Sequence, residues 1–517
     1  MSYQVEQKIG KHIYIYEAEG YWDPVKKQTR QKRTYIGKKD PVTGEIVTPR
    51  KSLSPKASRD FGAIYLLYTL AKTHGLIAHL ERAFPEEGQD VFNMAAFQLC
   101  EGKPFYLMKP WLEATHIDSF TIADSQAISR FFQDLGQRES DRRHFIDRWA
   151  YGQPASRAVA FDITSLSSHG KLIDLLEWGY NRDGENLPQI NLGIVMRIPD
   201  GIPMSYHIYP GSIADVSTLS NIIKELDSCG VSIRRFVLDR GFFSTSNIME
   251  LSQEKIPFII PMPFRSTLAH QLLLDTQKAL QSPQHAFIHH GQALFHTSKE
   301  IQIGGYKCIA HVYFDEERKA RETSHLIHRL TEFEAFMSQR SFETLDDVMA
   351  VINDKGRGLG SLYTIRLEGA QAILTRKTRT LTRMINRHGK VILVSKASRL
   401  SRDELIYLYR RRDMIEKLFD VMKNEFDSNR IRIHSRDALE GRLFIMFISM
   451  ILYFILQHRM QQSEFLHNFS VADIMAKLKI LRSVTLSNGK TYLTEMTKKQ
   501  RDILTAFNIP LPKKPCY

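Results

Sequence analysis

The order of apolar and polar residues divides the chain into four kinds of region. Residues 1–60 hold short alternating stretches, with 5–16 strand-like. Residues 61–150 change to helical spacing. Ile64, Leu66, Leu67, Leu70 and Ala71 recur on one face, Gly75 marks a stop, and a second helix is expected over 122–135. From residue 157 the pattern becomes one of short apolar runs. These predict strands at 158–163, 190–198, 203–209, 235–239 and 258–260, with a hairpin turn at Pro199-Asp200-Gly201. Helices are expected at 216–226 and 246–254 between the later strands. Beyond 266 come further strand-like runs (287–290, 306–314, 362–367, 391–394) around a charged helical stretch, 316–353. A long helix over 402–426 and an apolar one after Gly441 follow, and then a mixed tail from 471.

Three strands with a hairpin, then helix, strand, helix, strand, is the order of a ribonuclease-H-like mixed sheet. The expected fold class is therefore α/β: a ribonuclease-H-like core interrupted by a β-rich insertion domain, with helical N-terminal and C-terminal regions. The boundaries that follow are 1–60 for an N-terminal strand and turn region, and 61–150 for a helical domain suited to DNA-end binding. The two halves of the core take 151–265 and 396–460, the β-rich insertion 266–395, and a C-terminal region suited to dimerisation 461–517.

Composition narrows the partners. The 517 residues are 43% hydrophobic and 25% charged, ordinary for a globular protein, but the net charge is +14, which favours polyanions such as nucleic acid. Lys26, Lys27, Arg30, Lys32, Arg33, Lys38 and Lys39 concentrate part of that charge. The four cysteines, Cys100, Cys229, Cys308 and Cys516, form no CxxC pair, so neither a zinc site nor a disulfide framework is indicated. The N-terminus lacks the pattern of a signal peptide. The apolar run 443–456, broken by Ser449, falls short of the roughly 20 residues that cross a bilayer and reads as a buried helix. The expected location is the cytoplasm, with no membrane partner.

The candidate chemistry rests on acids. Asp162 and Asp239 lie at the ends of the first and fourth core strands, which are neighbours in such a sheet. Two carboxylates held close repel one another, and hard divalent cations (Mg2+ or Mn2+, two ions) relieve the repulsion and drive phosphoryl transfer. A third acid is expected from the helix over 402–426. On a helical wheel Tyr409, Arg412, Glu416 and Lys423 fall within one stripe about 60° wide, with Leu408, Met414, Ile415, Leu418 and Phe419 mostly opposite. Asp420 and Asp413 lie within about 40° of the same stripe, so the wheel alone leaves Glu416, Asp413 and Asp420 all open as the third acid. A strand-end Asp taken singly is more often a turn residue, and a charged helix edge more often a solvated face.

The motifs together resemble the DDE transposases of bacterial insertion sequences, in the branch with a β-rich insertion and a Y-R-E-K signature. Tyr409, Arg412, Glu416 and Lys423 match that signature without a gap, Phe161-Asp162-Ile163-Thr164-Ser165 matches the first-acid motif, and Leu238-Asp239-Arg240-Gly241-Phe242 the second. Leu187-Pro188-Gln189 and Tyr209-Pro210-Gly211-Ser212 with Asp215 and Thr218 are also similar. The resemblance, over residues 155–460, selects Glu416 and implies that Asp162, Asp239 and Glu416 are catalytic and hold the metals. It further implies that Arg412 and Lys423 grip DNA backbone beside Arg240, that Tyr409 meets a displaced base, and that the partners are terminal inverted repeats, target DNA and a second copy of the chain. Relatives that cut through a hairpin can use a tryptophan of the insertion, and here the insertion has none; an aromatic such as Tyr306 or Phe314 would have to substitute, and the sequence does not choose between them. A nuclease with the same site, a DNA-binding repressor with structural acids, and a glycosidase are the competing readings. The net charge and the Arg412/Lys423 edge speak against the last.

Overall fold

The computed structural model describes residues 2–48, 53–117, 119–122, 124–152, 158–170, 172–213, 218–228, 235–356, 358–396, 400–426, 428 and 430–515. Cys229, Cys516 and Asp215 lie outside them. The described chain forms two units.

The smaller unit joins 1–59 to 482–495 and 513–515. Strands Ser2–Ile9, His12–Asp23, Gln28–Lys39 and Ile46–Val47 form an antiparallel meander. The expected single strand over 5–16 is thus a hairpin, because Gly10 adopts φ +61° and turns the chain. The basic stretch lies on its third strand, largely exposed. The tail supplies a hairpin, Arg482–Leu486 and Thr491–Leu493, which pairs with the strand Pro55–Asp60. Sequence reading left the tail without strands, since pairing across more than 400 residues leaves no local pattern.

The larger unit is a mixed α/β body. Its sheet runs, from one edge, Ala286–His289, Gln292–Ile303, Tyr306–Phe314, Lys390–Lys396, Phe258–Pro261, Phe236–Leu238, Ala158–Ser168, Gln189–Ile198, Pro203–Pro210, with Arg430–Ile431 also paired to Ala158–Ser168. Gln189–Ile198, apolar but for Gln189, Asn191 and Arg197, is buried at every residue, as befits a strand inside the sheet. The expected hairpin forms at 199–202: Arg197 N–H donates to Ile202 O at 2.9 Å, and Gly201 sits at φ +75°. The strands between 286 and 314, and Lys390–Lys396, do not build a separate β body. They extend this same sheet, because Lys390–Lys396 pairs with Phe258–Pro261 on one side and Tyr306–Phe314 on the other. What stands between 316 and 388 is mainly helical, Glu316–Ser338 and Leu345–Lys355 closing on the hairpin Tyr363–Glu368/Gln371–Arg376 around Leu330, Phe333, Ile352 and Tyr363.

Helices of the region 62–152 pack around the apolar helix, which extends over Arg436–Gln461. By length and composition that helix could cross a membrane, yet 89% of its most apolar stretch is buried inside the protein. It lies tight against Ser125–Gln137. A Cβ added at Gly441 would stand 2.0 Å from Phe132 O, and one at Gly136 only 1.7 Å from Asp437 O. Gly441→Ala is therefore expected to cost about 1–3 kcal/mol, since backbone must separate to admit it. A thermal melt unchanged from wild type would rule that out.

Candidate active site

Parallel pairing places the first two acids. Val159, Ala160 and Phe161 face Phe236, Val237 and Leu238 in register, so Asp162 and Asp239 each follow the last matched pair of adjacent strands. Asp162 is the half-buried member of a strand otherwise wholly buried, and its Oδ1 accepts from Ile163 N–H at 2.8 Å. Asp239 leads into a short 3-10 turn, Arg240–Phe242, anchored by buried Phe242. Burial, and then the charge of Asp239, push the Asp162 carboxyl up to about 7, against the opposing pull of Arg412 and Arg182.

The third acid arrives on a helix that is regular only in parts. Ser401 and Glu404 form a capping box at the start of Arg402–Arg411, a second segment spans Asp413–Asp420, and Val421–Glu425 is a π turn. The backbone tightens at Arg412, where Arg412 N–H bonds Tyr409 O at 3.1 Å and Ile415 N–H bonds Arg412 O at 2.9 Å. It widens again where Phe426 N–H reaches Val421 O at 3.1 Å. Met414, Ile415 and Leu418 bury the inner face, and the Pro199–Gly201 turn braces it. Arg411 Nε donates to Pro199 O at 3.1 Å, and a Cβ on Gly201 would meet Met414 Cε at 1.9 Å.

All three acids converge on one guanidinium. Arg412 Nη1 lies 3.6 Å from Asp162 Oδ2 and 3.4 Å from Asp239 Oδ1, while Nη2 donates to Glu416 Oε1 at 2.6 Å. Asp413 Oδ1 is farther, 4.0 Å from Nη2. The Arg412 side chain is only 7% exposed, and its Nε and Nη1 have no hydrogen-bond acceptor. Its own burial disfavours the charged form, but Asp239, Glu416 and Asp162 together hold its pKa above the ordinary value. Tyr409 lies beside it, ring centroid 6.0 Å from Cζ, with burial raising its phenol.

Arg412→Met is expected to destabilise the metal-free protein. A broken buried ion pair costs about 3–5 kcal/mol; with Asp239 and Glu416 partly exposed, roughly 2–3 kcal/mol is expected at pH 7.5. The loss should shrink at pH 5, where Asp162 carries a proton. Melting curves at the two pH values test this, and equal stability of variant and wild type at pH 7.5 would refute it.

The other expected residues are placed differently. Lys423 is held by Asp183, at 2.8 and 2.6 Å from its two carboxylate oxygens, and pairs with none of the three acids. Arg240 is exposed, its Cζ 6.0 Å from the Phe264 ring, as is that of Arg387. Phe314 is buried against Phe295, and Tyr306 is half-exposed. Sequence reasoning did not mark Asp183, which no motif distinguishes; the closeness to Lys423 is purely tertiary. Among the described residues no cluster of His, Cys, Asp and Glu is set closely enough to hold a metal ion as arranged, because Arg412 stands among the carboxylates.

Residues 153–452 match the family model of the transposase DDE domain. The chain belongs to that family. The match covers over half of the 517 residues and contains Asp162, Asp239 and Glu416. No curated protein matches the chain. Among solved structures, a piggyBac transposase synaptic complex with hairpin DNA shares 10% identity over 88% of this chain and 86% of its own, at a TM-score of 0.37. A Drosophila P element transposase strand transfer complex shares 13% identity over 40% and 50%, at a TM-score of 0.15. Likenesses this slight bear on neither fold nor chemistry, so the DDE domain rests on the family match and on its own geometry.

Proposed function

We propose that this chain is the transposase of a bacterial insertion sequence, built on a ribonuclease-H-like core and bearing the Y-R-E-K signature. It cuts DNA at terminal inverted repeats by metal-dependent phosphoryl transfer, and joins the freed 3′-OH to target DNA by a cut-and-paste route. The observation that carries this reading is the convergence of Asp162, Asp239 and Glu416, from two strands and a helix, on a single buried arginine.

The donor set suits Mg2+ or Mn2+. All three side chains offer hard oxygens, and burial together with the neighbouring Asp239 charge keeps the Asp162 carboxyl raised, a cost that a bound cation would relieve. Two such ions would activate the attacking oxygen and stabilise the leaving one. For the three carboxylates to share cations, Arg412 must give up its present contacts. Its guanidinium, with two buried donors lacking acceptors, then suits a phosphate oxygen of the DNA backbone. Arg240 and Lys423 add cationic contacts to the same strand, and Tyr409 offers a ring to a displaced base. Two ends cut together call for a second copy of the chain, a cytoplasmic homodimer on DNA. A hairpin intermediate would need an aromatic other than buried Phe314.

The test is cleavage and strand joining on DNA bearing the element's own ends, with Mg2+. Wild type should nick and join; a wild type that binds these ends without cutting them would leave a DNA-binding protein and overturn the proposal.

A further inference from the structure

A cavity of about 600 Å³ opens in the larger unit, away from the three acids. One wall is the loop Lys103–Tyr106 and the helix Ser125–Gln137; the other is made by Phe426, Ser428, the stretch Arg430–Ser435 and the start of Arg436–Gln461. Its size falls in the range that encloses a small planar ligand, about 300–1,000 Å³.

Its chemistry has one sign. Among the described residues every charged side chain lining it is cationic: Lys103, Arg430, Arg432 and Arg442. Lys103 and Arg430 each touch an acid outside the lining, Glu101 at 2.9 Å and Glu185 at 2.8 Å, while Arg432 is exposed. The N-terminus of the 26-residue helix Arg436–Gln461, capped by Ser435 and carrying Asp437 in its first turn, borders the same space. Rings line the floor. Phe105 and Phe132 lie 5.1 Å apart, the Arg442 guanidinium stands 4.7 Å from the Phe105 centroid, and Tyr106 is 65% exposed beside them. Cations for a phosphate beside rings for a π-face are what a nucleotide requires, and a duplex, with its bases stacked, cannot enter.

Two backbone elements run from the acids to the lining. Arg430 pairs in register with Ser167, five residues along the strand from Asp162, and Phe426 lies ten residues along the helix from Glu416. These spans are about 17 Å and about 15 Å. At a rise of about 3.4 Å per nucleotide, a strand leaving the acids reaches the cavity within about five nucleotides.

We propose that this cavity receives an unpaired nucleotide of the DNA strand being processed, its base against Tyr106 and Phe105 and its phosphate on Arg432 and Arg430. The proposal rests on the reading of the chain as a DNA-processing enzyme.

The test is fluorescence anisotropy on the full chain without divalent metal, using a labelled 20-nucleotide oligothymidylate and a 20-base-pair duplex. Arg432→Ala, Tyr106→Ala and Ser129→Trp all alter exposed positions, so the fold should survive; the last fills the mouth without removing charge. Each is expected to weaken single-strand binding about tenfold and duplex binding less than twofold. Unchanged single-strand binding overturns the proposal, as does an equal loss on both DNAs, which would mean a general basic surface. Saturation by deoxythymidine monophosphate that leaves oligothymidylate binding intact would assign the cavity to a free nucleotide and also overturn it. Wild type binding neither DNA would remove the DNA-processing reading itself. Wild type binding both, with variants equal to it, removes only the cavity assignment.

Discussion

Glu416→Gln is expected to reduce DNA cutting by about a thousandfold or more, while binding of the end DNA stays within twofold. A carboxylate that holds a metal contributes several kcal/mol to the stabilisation of charge in phosphoryl transfer, and each 1.36 kcal/mol is a factor of ten. Glutamine keeps the shape and a carbonyl oxygen for Arg412 Nη2 but removes the charge. The Glu416 side chain is 58% exposed, so folding should hold to within about 1 kcal/mol. Cleavage assays with Mg2+ beside a binding assay decide it. Undiminished cutting would move the third-acid role to Asp413, 4.0 Å from Arg412, or to Asp420.

Asp162→Asn should show two effects of opposite direction: cutting is lost by a similar factor, and the metal-free protein becomes more stable at pH 7.5. The carboxyl is raised to about 7 by burial and by Asp239, from an ordinary value of 3.8. Between those values the folded chain holds a proton that the unfolded chain has released. The Asp162 contribution to the stability of the metal-free protein therefore falls as pH rises from about 4 to about 7, by up to about 1.4 kcal/mol per pH unit, and does not recover above. Asparagine removes that slope while its carbonyl still accepts from Ile163 N–H. Melting temperatures from pH 5 to 7.5 without metal test this. A variant that melts below wild type at pH 7.5, or keeps the wild-type slope, would show that Asp162 is not the strained group.

The same contrast between local and distant causes explains what could be read in advance. Asp162 and Asp239 were legible because each closes a short apolar run, and a strand placed in a sheet fixes its end. The apolar helix was legible from composition, and the hairpin at 199–202 from Pro-Asp-Gly. The wheel set Arg412 and Glu416 on one face, and in the structure they touch at 2.6 Å. It was incomplete at its end, because a uniform 100° per residue ignores the tightening at Arg412 and the π turn before Phe426.

Sequence alone determined the alternation of strands and helices, the placement of Asp162 and Asp239 at strand ends and the basic balance, because each depends on periodicity, turn chemistry or residue type within a few positions; Glu416 was set apart from Asp413 and Asp420 only by the family resemblance. Only the tertiary structure decided that the strands on either side of 316–388 extend one sheet, that the tail hairpin pairs with Pro55–Asp60, and that Lys423 rests on Asp183. It alone placed Arg412 among the acids and gathered Arg430, Arg432 and Tyr106 around one cavity. Each of these joins segments far apart in the chain. Such pairings are chosen by global packing and charge compensation, which leave no local pattern to read.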